Sequence, residues 1–227
     1  CIVSSGWLVY VINNLHNKPI MRGSLINRWP RVSSAYPVIL LRFVVQQQKI
    51  IWAGCKIFTC VLLYMIFRNN TLSEADIRLT FLFFNFGILG NTILIARIRN
   101  FEEMYLGFYP GMPVSLWKRL LAYSLVYFIL LIPEFITAAS LAPVYMEYSY
   151  ATQFSLCAFG LVLLMNNITF FQRFNAREYL PVLLLIFILL YIIMMTAGLV
   201  ILYYLLFTFA VIVFFAGYYK SERSLEP

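Results

Sequence analysis

Apolar and polar positions follow one another in long blocks along this chain, unlike the short periods of a soluble helix or strand. Six apolar runs follow residue 50, and short charged or polar links separate them. A helix needs about 20 mostly apolar residues to cross the hydrocarbon layer, so each run is long enough to span a membrane. The predicted spans are 50–67, 79–96, 119–141, 152–171, 179–197 and 199–217.

The runs predict helices rather than the strands of a barrel. Backbone amides in lipid must be bonded internally, which leaves only helices and closed barrels. Barrel strands would alternate polar and apolar residues over about ten positions, whereas residues 180–187 are apolar on every side. The predicted fold is therefore all-α: a polytopic integral membrane protein with a six-helix transmembrane bundle and an N-terminal interfacial helix.

The segments outside the runs complete the predicted organisation. Residues 1–35 are predicted to form a cytoplasmic N-terminal segment that starts with either the end of an earlier helix or an interfacial stretch. Residues 36–49 change from apolar to polar, which is typical of a helix lying at the inner membrane surface. The six-span domain covers 50–219, and 220–227 is predicted to be a cytoplasmic tail.

Composition and charge place this bundle in a membrane with a defined orientation. The chain is 63% hydrophobic and 11% charged, so a soluble fold would lack polar residues for its surface. Its net charge of +8 comes mainly from basic residues on alternate links, which the positive-inside rule places in the cytoplasm. Both termini are expected in the cytoplasm, and the protein in the plasma membrane (the inner membrane of a bacterium). Charges spread over separate loops also argue against nucleic-acid binding.

The chain shows no enzyme signature. Nucleophile-elbow, zinc-protease, phosphate-loop and dinucleotide motifs do not occur. The cysteines have no Cys-x-x-Cys spacing and the single histidine, His16, lies in a polar linker, so neither a metal site nor a cofactor is expected. The chain is therefore predicted not to be an enzyme, and any ATP hydrolysis would belong to a partner subunit.

Two charged side chains, Lys56 and Glu134, fall inside the predicted spans. A charge at the bilayer centre costs about 2.5–3.5 kcal/mol on insertion scales, which makes each a functional candidate. For Lys56 we favour a simpler interpretation, in which its long stem reaches the inner headgroups. Pro133 frees a backbone carbonyl one turn earlier and is expected to kink the helix there. Glu134, directly after it, is either part of a polar path or gate, or a carboxyl bonded to a neighbouring helix or near the outer headgroups. Asn85 and Asn91 are further polar candidates, and such residues more often bond between helices than contact a substrate.

The link between the second and third predicted spans, 97–119, differs from the others. It has about twenty residues where a hairpin needs only a few, and it combines basic, acidic, aromatic and proline residues. Glu102 and Glu103 favour the start of a short amphipathic helix, which Pro110 would end. The link therefore predicts a surface helix presented to a soluble partner. An ordinary solvated connection is the alternative.

In these residues the chain resembles the permease subunits of type-2 ABC exporters. In that family acidic residues follow the second span, and a leucine-rich stretch, a Leu-Pro-Val-Ser-like turn and a basic start of the third span come next. The matching residues here are Glu102, Glu103, Met112, Pro113, Val114, Ser115 and Lys118. The family's six spans, inward N-terminus and surface helix before the first span map onto about residues 36–219.

The resemblance implies that residues 101–116 act as a coupling helix seated in a groove of a separate ATPase. The residues expected at that contact are Glu102, Glu103, Met104, Tyr105, Leu106, Pro113, Val114 and Ser115. The implied partners are a soluble ABC-type ATPase subunit, the lipid bilayer and a second permease in a homo- or heterodimer. The alternatives are a secondary transporter or channel, which would show broken helices and charges near the midplane, and a structural subunit of a membrane complex.

Overall fold

A computed structural model of the protein describes residues 36–69, 74–106, 114–145, 147–170 and 176–223. Every regular element in these ranges is an α-helix, which confirms the predicted all-α class. The helices are α1 Tyr36–Gln47, α2 Lys49–Asn69, α3 Glu74–Leu89, α4 Thr92–Tyr105, α5 Leu116–Leu130, α6 Ile132–Tyr145, α7 Tyr148–Ile168 and α8 Ala176–Arg223.

Several of these helices are long and apolar enough to cross a membrane. Within the described ranges three segments qualify alone, and two bent helix pairs raise the number to five if each pair is one span. The single segments are Ile77–Tyr105, Tyr148–Ile168 and Gly198–Tyr218, and the bent pairs are α1 with α2 and α5 with α6. The predicted fifth span corresponds to Pro181–Thr196, a shorter apolar helix. The chain is a multi-pass helical membrane protein with three to five candidate spans.

Local backbone chemistry explains where α5 and α8 are interrupted. Helices α5 and α6 meet at Leu131 with a bend of 52°, close to Pro133, which lacks an N–H and is tolerated in the first turn of the new helix. Gly198 has φ 81° and ψ 170°, a conformation that glycine almost alone adopts, and it divides α8 into two halves.

Two further interruptions lie earlier in the chain, one between α1 and α2 and one between α3 and α4. Helices α1 and α2 meet at 86°. Between α3 and α4, the N–H groups of Gly90 and Asn91 bond three residues back, to the carbonyls of Gly87 and Ile88. These two tight bonds interrupt the regular hydrogen-bond ladder, while Ile77–Tyr105 remains one candidate span across the interruption.

Helix α7 forms the centre of the bundle. Every residue from 160 to 167 is buried, and α7 contacts α3, α4, α5, α6 and α8. Gly160 allows close packing there, because an added Cβ would lie 3.1 Å from Cβ of Leu206 on α8. By contrast, α2 and α8 carry exposed apolar side chains such as Ile57 and Ile201, which is typical of helices that face lipid.

The predicted helix start at Glu102 and Glu103 is wrong. Helix α4 continues to Tyr105, so the two glutamates lie in its last turn. No glycine or proline interrupts residues 92–105, and Arg99 pairs with Glu102 and Glu103 at i+3 and i+4, which stabilises the helix. Residues 107–113, which include Pro110 and Pro113, lie outside the described residues.

Candidate functional site

A buried carboxylate joins three helices at the end of α4. Glu102 is 5% exposed, and its Oε1 accepts a hydrogen bond from the hydroxyl of Tyr36 at the start of α1. The Tyr36 hydroxyl also lies 2.8 Å from the hydroxyl of Tyr123 on α5. Arg99 places Nη1 3.5 Å from the second carboxylate oxygen, Oε2. These four residues are called the anchor cluster below.

Aromatic contacts support the anchor cluster from both sides. The guanidinium of Arg99 lies over the ring of Phe170, 4.5 Å from its centroid. Phe43 of α1 stacks on Phe101 of α4 with 4.2 Å between centroids. Burying a carboxylate is unfavourable unless it is both paired and hydrogen-bonded, and Glu102 is both. The end of α4 is therefore held against α1 and α5.

The other face of the last turn of α4 is exposed. Met104 is 65% and Tyr105 40% exposed, and Glu103 reaches Nε of Arg99 at 3.1 Å while remaining largely open to solvent. Leu106, in contrast, is buried with Glu102. Of the predicted contact residues on and just after α4, Glu102 and Leu106 are therefore buried. The other three, Glu103, Met104 and Tyr105, are exposed and are called the exposed triplet below.

The remaining predicted contact residues lie at the start of α5. Ser115 is exposed and directly precedes the helix, and the carbonyl of Val114 accepts a hydrogen bond from Nε of the buried Arg119 at 3.2 Å. The guanidinium of Arg119 lies over the ring of Tyr218, 4.9 Å from its centroid. The start of α5 is thereby connected to the end of α8. Pro113 lies outside the described residues.

The two charges predicted within the spans form an ion pair. Nζ of Lys56 on α2 lies 2.7 Å from Oε1 of Glu134 on α6, and 2.8 Å from Oδ1 of Asn91, which directly precedes α4. Lys56 is 5% and Glu134 0% exposed. The favoured interpretation of Lys56 is therefore wrong, because its ammonium meets a carboxylate inside the bundle and does not reach out to headgroups. These three residues are called the Lys56 cluster below.

The hydrogen bonding of the Lys56 cluster is incomplete. Nδ2 of Asn91 donates to the carbonyl of Ile88 at 3.2 Å, so Oδ1 is oriented toward the ammonium. Oε2 of Glu134 is buried and has no hydrogen-bond partner of normal geometry in the part of the chain that the structure describes. Removing one partner of such a pair costs about 3–5 kcal/mol, because the other charge stays buried without compensation.

Asn85 stays apart from the Lys56 cluster. Its Nδ2 donates to the carbonyl of Phe81 one turn earlier on α3, at 2.9 Å. The structure thus brings together three of the four intramembrane candidates. Glu134 is bonded to a neighbouring helix, which was one of its two interpretations, and its role in a path or gate stays a prediction.

Sequence reasoning missed three members of the anchor cluster: Tyr36, Arg99 and Tyr123. The spacing of Arg99 to both glutamates, three and four residues, was a signal for helical pairing that sequence alone contains. For the tyrosines no local signal exists, since the chain has 16 of them and only tertiary packing selects two.

The fold and its two polar clusters define the class as a multi-pass helical membrane protein. No protein-family model, curated protein or solved structure matches the chain. Among the described residues no three His, Cys, Asp or Glu side chains are grouped so that they could hold a metal ion.

Proposed function

We propose that the chain is the membrane-spanning permease subunit of an ATP-driven transporter of the type-2 ABC exporter class. The observation that carries the proposal is the division of the last turn of α4 into two faces. Glu102 holds one face to α1 and α5, while the exposed triplet is open to a partner. A helix end that receives force from a motor must be exposed to the motor and firmly joined to the helices that move, and this end meets both requirements.

In the proposed arrangement α1 lies at the inner membrane surface and α2 is the first of six spans. The 86° turn between α1 and α2 supports this arrangement. The fifth span is the first half of α8, where the predicted residues 179–197 would extend about 29 Å at 1.5 Å per residue. The basic links place both termini and the end of α4 in the cytoplasm, with the plasma membrane as the expected location.

The proposed mechanism passes movement from the ATPase to the spans through the anchor cluster. Closure of two ATPase subunits on ATP displaces the docked end of α4. Glu102 transmits the displacement to Tyr36 on α1, whose hydroxyl also contacts Tyr123 on α5, and the contact of Arg119 with Tyr218 extends it to α8. Two permease copies would then open a path between them, driven by contacts that differ between the two states.

Affinity purification from native membranes tests this proposal. The tagged chain should retain an ATPase with a phosphate-binding loop in near-equal amount, and the purified complex should hydrolyse ATP. Replacing Met104 and Tyr105 by serine should reduce the retained ATPase at least tenfold, because each apolar anchor of an interface contributes about 1 kcal/mol or more. The unfolding temperature should fall only slightly, since Met104 is mostly exposed and Tyr105 loses one ring contact, with Phe101 at 5.3 Å between centroids.

Tyr148→Ser is the matched control, because Tyr148 is 62% exposed at the start of α7 and the charge rule places it on the outer side. This variant should retain the ATPase in full. An unchanged yield of ATPase with the Met104 and Tyr105 variant, or the lack of any such ATPase, would refute the docking role.

The Lys56 cluster favours a second candidate function, a secondary transporter or channel. Ionisable residues within spans often mark ion or substrate pathways, and the ion pair of Lys56 with Glu134 joins the two bent helix pairs. Transport measured in vesicles that contain the purified chain without any ATPase distinguishes the two candidate functions. Ion-driven uptake of a substrate there would favour the second function, whereas uptake that requires the ATPase and ATP would favour the first.

A further inference from the structure

We infer that the Lys56 cluster is a latch between two helix breaks, and that its opening in the folded protein lets water reach the contacts of α2 with α4 and α6. This inference goes beyond the proposed function, because it concerns the bundle itself and holds whichever energy source drives transport.

The latch is defined by where its two acceptors lie. Asn91 follows the break between α3 and α4, and Glu134 lies in the first turn of α6, just past the 52° bend at Leu131. Helices change their angle most readily at such interruptions. One ammonium, that of Lys56, bonds to both acceptors. A single side chain on α2 thus connects the turn between α3 and α4 with the bend between α5 and α6.

Close packing of α2 on both partners depends on the same contact. Cys55, directly before Lys56, places its Sγ 3.3 Å from the carbonyl of Gly90 at the first break. Cys60, one turn after Lys56, places its Sγ 3.2 Å from the hydroxyl oxygen of Thr137 on α6. A native thiol therefore lies at each of the two contacts that the latch closes.

Opening of the latch exchanges one set of contacts for another. In the closed state the Lys56 ammonium bonds to Glu134 and to Asn91. In the open state, water that enters would solvate the ammonium and the carboxylate instead. Such differential contacts are what a two-state element requires.

The first experiment uses the unaltered protein in reconstituted bilayers. A charged, water-soluble maleimide is added, and labelling of each cysteine-containing peptide is followed by mass spectrometry. Thiols react as thiolates, which form only where water has access. Cys55 and Cys60 are partly exposed in the closed arrangement, so their wild-type rates serve as the reference for the variants below. Cys157, which is fully buried in α7, reports global unfolding. Equal rates at all three thiols would overturn the latch, because only unfolding would then expose the cluster.

The second experiment changes the charges. Glu134→Gln leaves the ammonium without its carboxylate and should raise the labelling of Cys55 and Cys60 about tenfold over wild type. The matched control, Lys56→Met with Glu134→Gln, removes both charges and should bring both rates back toward the wild-type value. A double variant as reactive as the single one, or a single variant that reacts like wild type, would contradict the latch. Labelling of Cys157 is followed in each variant, and a rise there equal to that at Cys55 and Cys60 would contradict the latch, because global unfolding would then explain the reactivity.

Discussion

At the scale of single residues, Glu102 and Glu103 are sequence neighbours with opposite environments. Glu102 is buried among Tyr36, Tyr123 and Arg99, while Glu103 is exposed and forms an ion pair with Arg99 at the surface. A buried, hydrogen-bonded carboxylate and a surface ion pair contribute very differently to stability.

Replacing Glu102 by alanine should therefore destabilise the fold by about 2–4 kcal/mol. The substitution leaves a largely buried guanidinium and two tyrosine hydroxyls without their carboxylate. Thermal unfolding in detergent measures the effect. Glu103→Ala is the control and should change the free energy of unfolding by at most about 0.5 kcal/mol. Equal losses for the two variants would show that Glu102 does not anchor α4.

At the scale of the helices, the approach of α2 to α3 depends on Gly87. A Cβ at this position would lie 2.9 Å from Cγ2 of Thr59, whose hydroxyl donates to the Gly87 carbonyl at 3.1 Å. Gly87→Ala should destabilise the protein by about 1–2 kcal/mol, since overpacking outweighs the better helix propensity of alanine.

Gly54 offers the matched comparison on α2, because nothing lies within 4 Å of an added Cβ there. Gly54→Ala should stabilise the protein by about 0.5–1 kcal/mol through helix propensity alone. Opposite signs of the two effects in thermal unfolding are the expected result. A stabilising Gly87→Ala would mean that α2 and α3 are not in close contact.

The break in α8 at Gly198 leads to a separate prediction. At φ 81° and ψ 170°, a side chain on residue 198 would be strained by about 1–3 kcal/mol. Gly198→Ala should therefore lower the free energy of unfolding by that amount. A gain in stability similar to that of Gly54→Ala would indicate instead that α8 passes through Gly198 as one continuous helix.

The positions of the helices followed from the apolar runs, and the bend near Pro133 followed from its missing N–H. The pairing of Lys56 with Glu134 did not follow from the sequence. Counted along straight helices, Lys56 lies about 10 Å from the start of α2 and Glu134 about 27 Å from the start of α5, so the two were assigned different depths. They meet in a bundle whose helix pairs bend by 86° and 52°, and no local sequence signal specifies such angles.

At the scale of the whole molecule, α4 connects the two polar clusters. Asn91 of the Lys56 cluster directly precedes the helix, and Glu102 of the anchor cluster lies in its last turn. Eleven residues separate them, about 16 Å along a helix. In the proposed transporter, a displacement of the docked end would reach the latch through this one helix. The exposed triplet, the anchor cluster and the latch would then act in series.

The most direct test of the account is a photo-crosslinker placed at Tyr105 in the exposed triplet. The chain is expressed in native membranes and irradiated, and any crosslinked protein is identified by mass spectrometry, with the same crosslinker at Tyr148 as the control. The account predicts an adduct with an ATPase that carries a phosphate-binding loop at Tyr105 and none at Tyr148. Crosslinking of Tyr105 to lipid alone, or its labelling from outside intact cells, would contradict the proposed docking of a motor at the end of α4.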